Sequence, residues 1–282
     1  MNRLSKIILM ASAVFLITGL TCTGVYAEED AQAAMKKDKT GTNPVNFQRD
    51  IRLYNEFSWL NTDGDGTQNL TTLEFRTPFL DGKWQWRVRA PFKALEVDNP
   101  DGSVLIDESG FGDLDMRFLT VPIIDMANMR AVAIGLELFL NTASEDVLGS
   151  GTTSLGPQVF FAKFFKGGLG PYKGGGMFAP GLQYQFSVDD EDGRSETEQI
   201  LIDLNFFIIA KDKQSWFFTD PQIVFDLETE EEFAIVDFEF GFMMSKWTDL
   251  QGHSIYIRPS VGVGGDRPVD GSIEIGYKIV GW

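Results

Sequence analysis

The residues of this 282-residue chain that could do chemistry are few, and most are better placed for solvation than for catalysis. His253 is the only histidine. A hydroxyl nucleophile needs a histidine within hydrogen-bond reach. Ser254 adjoins it, but successive residues of a strand point to opposite faces, so the two cannot form a dyad. A lipid hydrolase with a serine and His253 on an outer barrel face is the enzymatic alternative, and no catalytic residue is assigned. Asp113 with Asp115, and Asp237 with Glu239, set two carboxylates on one strand face, where they could move protons. A water-filled wall carries such charges without that role. Asn61-Thr62-Asp63-Gly64-Asp65-Gly66 has the oxygen spacing of a calcium loop. Thr72 stands where the closing glutamate belongs, so a hairpin loop and no metal are expected. Gly149-Ser150-Gly151 and Gly174-Gly175-Gly176 lack the lysine and helix of a phosphate loop and read as turns. Cys22 is the single cysteine and falls in a predicted leader, which leaves no disulfide, no thiol chemistry and no cofactor to expect.

The remaining charged residues form a pattern. Arg76, Lys83, Arg87, Arg89, Lys93 and Arg117 fall on predicted inward faces of early strands. Asp203, Asp220, Asp226, Asp237 and Glu239 fall on those of late strands. In a closed barrel of about 12 strands the two sets face each other, which predicts a basic wall opposite an acidic one. The alternative is that each set pairs locally, with Glu74 and Asp115 serving the basic side.

The elements that must position these charges are strands. From Phe47 onward the period is two almost throughout. In Lys83–Lys93, Trp84, Trp86, Val88, Ala90 and Phe92 alternate with Lys83, Gln85, Arg87, Arg89, Pro91 and Lys93. A soluble sandwich also alternates. Mid-strand charges on one face and large aromatics along the whole of the other favour a membrane wall. The same phase recurs around Arg52, Glu74, Asp115, Glu137, Gln183, Asp203, Gln222, Asp237, Arg258 and Glu274. Gln158–Phe165 is apolar on both faces and has no clean phase.

No segment after Ala27 is long and apolar enough for a membrane helix. A chain that crosses lipid without helices must close its strands into a barrel, because every backbone group needs a partner. Mean hydropathy near zero fits a tube that is apolar outside and polar inside. The fold expected is therefore all-β, a transmembrane antiparallel up-and-down barrel. Arg3 and Lys6, the uncharged run Ile7–Leu20 and Val25-Tyr26-Ala27 predict a signal peptide over 1–27. Residues 28–45 read as a polar periplasmic tail and 46–282 as the barrel. A net charge of −17 excludes nucleic acid as a partner.

Connections alternate between two ends. Asn61–Asn69, Asp98–Gly110, Asn141–Thr152, Asp189–Glu196, Glu228–Glu232 and Gly264–Asp270 are predicted outside. Asp81-Gly82, Pro122–Asn128, Lys166–Pro171, Lys211–Gln214 and Thr248–Gly252 are predicted on the periplasmic side. The outer set is the more acidic.

Gly110-Phe111-Gly112-Asp113, followed by Arg117 at a strand start, resembles the Gly-x-Gly-Asp motif of the "MetA-pathway of phenol degradation" family of outer-membrane barrels. Leu148-Gly149-Ser150-Gly151 is similar to that family's second glycine signature. Leu140-Asn141-Thr142-Ala143 departs at two of four positions from its usual Leu-Pro-Thr-Gly. The resemblance implies a transporter-like barrel and does not establish phenol as substrate. The chain ends on Trp282, an aromatic terminus of the kind that barrel-assembly machinery reads, although Trp282 is out of phase with Ile275, Tyr277 and Ile279. The expected function is passive passage of a small solute across the cell outer membrane, with the membrane lipid as the other partner. The rival is a closed structural or surface-display barrel whose acidic loops bind a partner or cation.

Overall fold

The computed structural model describes residues 47–190 and 196–281. The predicted signal peptide and the whole of the predicted tail lie outside them, as does Trp282. The strands are β1 (Asp50–Leu60), β2 (Gly66–Phe79), β3 (Trp84–Asp98), β4 (Val104–Phe111), β5 (Leu114–Asp125), β6 (Arg130–Leu140) and β7 (Thr152–Phe165). They continue with β8 (Gly176–Asp190), β9 (Glu198–Ile209), β10 (Ser215–Thr219), β11 (Gln222–Asp226), β12 (Glu232–Met243), β13 (His253–Val263) and β14 (Val269–Val280).

All pairings are antiparallel, and β1 pairs with β14 from Asp50↔Val280 to Leu60↔Val269, which closes the sheet. Two wall strands are broken. β10 and β11 both lie between β9 and β12 and form one crossing. β4 and β5 share one edge of β3, β4 along Phe92–Asp98 and β5 along Trp84–Arg89. The result is a closed barrel of 12 wall strands, as its period-two pattern predicts.

The first break has a chemical cause. Pro221 has no N–H to give the ladder. Around it the Thr219 hydroxyl donates to the Asp237 carbonyl (2.6 Å), and the Asp220 N–H donates to the Asp237 carboxylate (2.7 Å). A side chain of the interior thus replaces a missing rung.

Outward residues match the predicted faces. Leu53, Leu73, Phe240, Ile257 and Ile275 are exposed, Ile275 at 62%. A continuous apolar exterior of this kind suits hydrocarbon rather than water. Strand ends differ from expectation. β2, β3 and β8 run 14, 15 and 15 residues, so they extend past the apolar belt. Most of Asp98–Gly110, expected as a loop, is the exposed strand β4. Its charges read as loop because a hairpin standing clear of lipid can carry them on either face. β5 likewise runs through Pro122 with a register shift between Thr120 and Ile123. The two-residue turn expected at Asp81-Gly82 includes Leu80 as well, all three with positive φ. Asp189–Glu196 is only partly described, since 191–195 lie outside the described residues.

The acidic connections and the lysine-bearing turns lie at opposite ends, called here the acidic rim and the basic rim. Toward the basic rim the inward residues of β5 to β10 and the end of β12 become apolar, while Asp50, Arg76, Gln85, Ser254 and Lys278 keep the β1–β3 and β13–β14 side polar. Leu119, Ala133, Phe160, Ala162, Met177, Ala179, Phe207, Trp216 and Met243 form a buried cluster inside the tube. Phe47, just before β1, packs against it. This explains the missing phase of Gln158–Phe165: Phe160 and Ala162 are inward and apolar because they fill the barrel, while Phe161 faces out.

Candidate functional site

A cavity of about 350 Å³ occupies the middle of the barrel, and charged and amide side chains from most of the wall line it. Its apolar border includes Phe160, Phe218 and Tyr256, which also belong to the buried cluster. The cluster therefore borders the cavity on the basic-rim side.

On the β1–β6 side, inward residues form a charged lattice, alternating in sign along one row and with three adjacent arginines in the next. Register sets Arg52 opposite Glu74, Glu74 opposite Arg89, and Arg89 opposite Asp115. The next row sets Asp50, Arg76, Arg87, Arg117 and Glu137 side by side. Inward side chains of neighbouring strands stand about 5 Å apart, within reach of ion pairing. Glu74 accepts from Arg76 (2.6 Å) and Arg89 (2.7 Å) and lies 3.2 Å from Arg52. Arg87 pairs with Asp115 at 2.9 Å and with Glu137. Glu137 also accepts from Gln158 (3.3 Å) and Gln183 (3.0 Å).

On the β10–β14 side the centre is Glu239, wholly buried. Its carboxylate accepts from the Trp216 indole (2.6 Å), Lys278 (3.0 Å) and Arg258. Arg258 lies 3.5 Å from Asp237 and from Glu274. The Lys278 ammonium lies 4.3 Å from the Tyr256 ring centre, a cation–π contact that helps to hold a lysine with 0% exposure. Two glycines admit these aromatics. A Cβ on Gly241 would meet Trp216 at 1.9 Å, and one on Gly276 would meet Tyr256 at 2.1 Å.

These contacts correct the expectation of single-sign walls. Arg76, Arg87, Arg89 and Arg117 do line the cavity, but Glu74 and Glu137 stand among them. Asp203, Asp220 and Asp237 line it too, with Arg258 beside them. Lys83 is exposed in the turn before β3, and Lys93 lies beyond the cavity. Asp226 ends β11, where its carboxylate accepts the N–H groups of Glu228 (2.9 Å) and Thr229 (3.0 Å). Glu239 is buried behind the cavity rather than on its surface. The site residues not singled out from the sequence are Arg52, Glu137, Arg258, Glu274 and Lys278. Each shows the inward phase, but a partner on a distant strand is set by register, which periodicity does not encode.

The glycine motifs have a structural explanation. Asp113 Oδ1 accepts the N–H groups of Thr142 (3.0 Å) and Ala143 (3.1 Å). Oδ2 accepts the Ser150 N–H (2.6 Å) and hydroxyl (2.9 Å). One carboxylate thus ties the start of β5 to both arms of the 141–151 connection. Gly110 and Gly149 let the pieces approach, since a Cβ there would meet Ser144 Oγ at 2.1 Å and Ala143 Cβ at 2.5 Å. Gly112 and Gly151 flank the same junction, Gly151 with φ 69°. Asn61 donates to the carbonyls of Gly265 (3.4 Å) and Arg267 (3.0 Å), so the calcium-like stretch is bonded to the neighbouring connection. His253 faces outward at the basic rim and is hydrogen-bonded to Tyr277, while Ser254 points inward, as alternation requires.

No protein-family model matches the chain, and no curated protein matches it in sequence. Among solved structures it is similar to an outer membrane channel from Pseudomonas putida F1. That likeness has a TM-score of 0.64 and 14% identity, and covers 84% of this chain and 96% of that one. It is also similar to the NanC porin (TM-score 0.49, 12% identity, 82% and 98% covered). A third likeness is to the translocator domain of the autotransporter NalP from Neisseria meningitidis (TM-score 0.46, 11% identity, 90% and 98% covered). The first likeness shows the fold of an outer-membrane β-barrel.

Proposed function

We propose that this chain is a channel or facilitator for the passive passage of a small polar solute across the outer membrane. The carrying observation is the cavity inside a closed barrel, bordered by charged groups of both signs. A purely structural barrel has no need of an interior that holds so many ion pairs around an open space. The apolar exterior supports a barrel seated in lipid, and the usual pattern of short periplasmic turns supports the acidic rim outside and the lysine-bearing turns in the periplasm. The printed name of the Pseudomonas putida structure, a channel, agrees with this reading. The glycine motifs that resemble the phenol-degradation family agree with a transporter-like barrel. β14, with the aromatic Trp282 after it in sequence, would be the segment presented to the assembly machinery. No catalytic role is assigned to any residue.

The test is conductance of the purified protein in planar bilayers, joined to liposome swelling across solutes. Discrete single-channel currents and solute-dependent swelling are expected. Absence of both would overturn the proposal in favour of a closed structural or surface-display barrel. The observation that favours this second reading is the apolar cluster across the basic-rim half of the interior.

A further inference from the structure

The geometry points to the mid-barrel cavity as a binding site for a small zwitterionic solute, with Arg117 taking its anionic group and Asp203 with Asp220 its cationic group. The inference rests on the channel reading and names the class of solute.

The argument starts from which charges are already satisfied. Arg52, Arg76, Arg87, Arg89 and Arg258 each lie in ion pairs with carboxylates. Arg117 differs. It lines the cavity from β5 and makes no hydrogen bond or ion pair among the described residues. On β9, Asp203 is 8% exposed and also lines the cavity without a hydrogen-bond or ion-pair partner among them. Its neighbour Asp220 stands at the broken strand. One carboxylate oxygen of Asp220 is sealed without a close hydrogen-bond partner, and the other accepts from Gln222 at 3.4 Å, with the Leu204 N–H near the same carboxylate. The interior is therefore a lattice of ion pairs in which one cation and two carboxylates have no ion-pair partner within contact distance. They sit on different parts of the wall, on the fourth wall strand against the eighth and ninth. All three line the same cavity.

A buried polar group without a partner costs free energy until something bonds it. Four classes of small solute meet that need differently. A neutral one leaves both signs uncompensated. An anion satisfies Arg117 but meets two carboxylates, and a cation does the reverse. A molecule that bears both charges satisfies both sides at once, and its dipole fixes its orientation. The volume, about 350 Å³, lies at the small end of small-molecule sites, roughly 300–1,000 Å³. Among the described residues no three of His, Cys, Asp and Glu gather closely enough to hold a metal ion, which disfavours an inorganic cation as occupant. Asp220 stands at the break between β10 and β11, where an interrupted ladder re-directs the side chains beside it.

The test uses four probes of one size: β-alanine, propionate, propylamine and propionamide. Binding to the full-length protein in micelles is measured by calorimetry, and flux by liposome swelling. β-Alanine should bind at least about tenfold more tightly than the other three. Arg117→Gln should remove that preference, as should Asp203→Asn combined with Asp220→Asn, while Arg117→Lys retains most of it. Retention of the folded, heat-modifiable gel band shows that each variant still folds. β-Alanine binding no tighter than propionamide, or unchanged in Arg117→Gln, would overturn the proposal. Tight β-alanine binding without flux would support the site and overturn the channel reading. Flux of all four at equal rates without binding would leave the channel and overturn the site.

Discussion

The two halves of the interior solve the same packing problem in different ways. At mid-barrel, charged side chains fill the space by pairing across strands, and a cavity remains among them. Toward the basic rim, on the β5–β10 side, Trp216, Met177, Phe160 and small alanines fill it mainly by contact. The polar half depends on direction: each carboxylate must meet its donors at hydrogen-bond distance. The apolar half depends on volume, with aromatics set over glycines such as Gly181 and Gly241. Directional pairing tolerates open space beside it and volume packing does not. That difference is why the candidate site lies where it does.

Breaking the polar half at its centre should have the largest effect. Glu239→Ala removes the carboxylate shared by Trp216, Lys278 and Arg258, at a cost of about 3–5 kcal/mol. Urea unfolding in micelles would read it, and a loss below about 1 kcal/mol would mean that this centre is not what orders the β10–β14 wall.

A similar loss of stability is expected in the apolar half, with an opposite effect on conduction. Phe160→Ala should cost about 3 kcal/mol and open the cavity floor, so single-channel conductance should rise. Unchanged conductance would show that the constriction lies elsewhere.

The exterior offers a control on both halves. Phe240 faces outward from β12, and Phe240→Arg should cost about 2–4 kcal/mol if that position is near the midplane. Assembly with unaltered stability would disprove the face assignment for that strand.

The smallest effect is expected at the acidic rim. Asp113→Ala removes four hydrogen bonds from the 141–151 connection and should cost about 2 kcal/mol. Limited proteolysis should then cut that connection faster while currents through the barrel persist. An unchanged cutting rate would mean that the glycines alone hold it.

The sequence by itself determined the wall. Alternation of period two placed Arg87, Glu74, Asp203 and Asp237 inside and Leu53, Phe240 and Ile275 outside, because lipid and water sort neighbouring residues of a strand without reference to any partner. It also placed the motif residues Gly110, Gly149 and Gly151 at connections and Gly112 and Asp113 at a strand start, although not as one clamp. Only the tertiary structure decided the rest. Which carboxylate serves which arginine follows from inter-strand register, and a shift of register leaves the sequence pattern untouched. The walls of one sign expected from strand-by-strand charge thus became a lattice of pairs, since Glu137 and Arg258 reach partners on neighbouring strands. The apolar interior was hidden for a related reason. Where both faces of a strand are apolar, as at Gln158–Phe165, only closure of the barrel separates the face that meets lipid from the face that fills the tube.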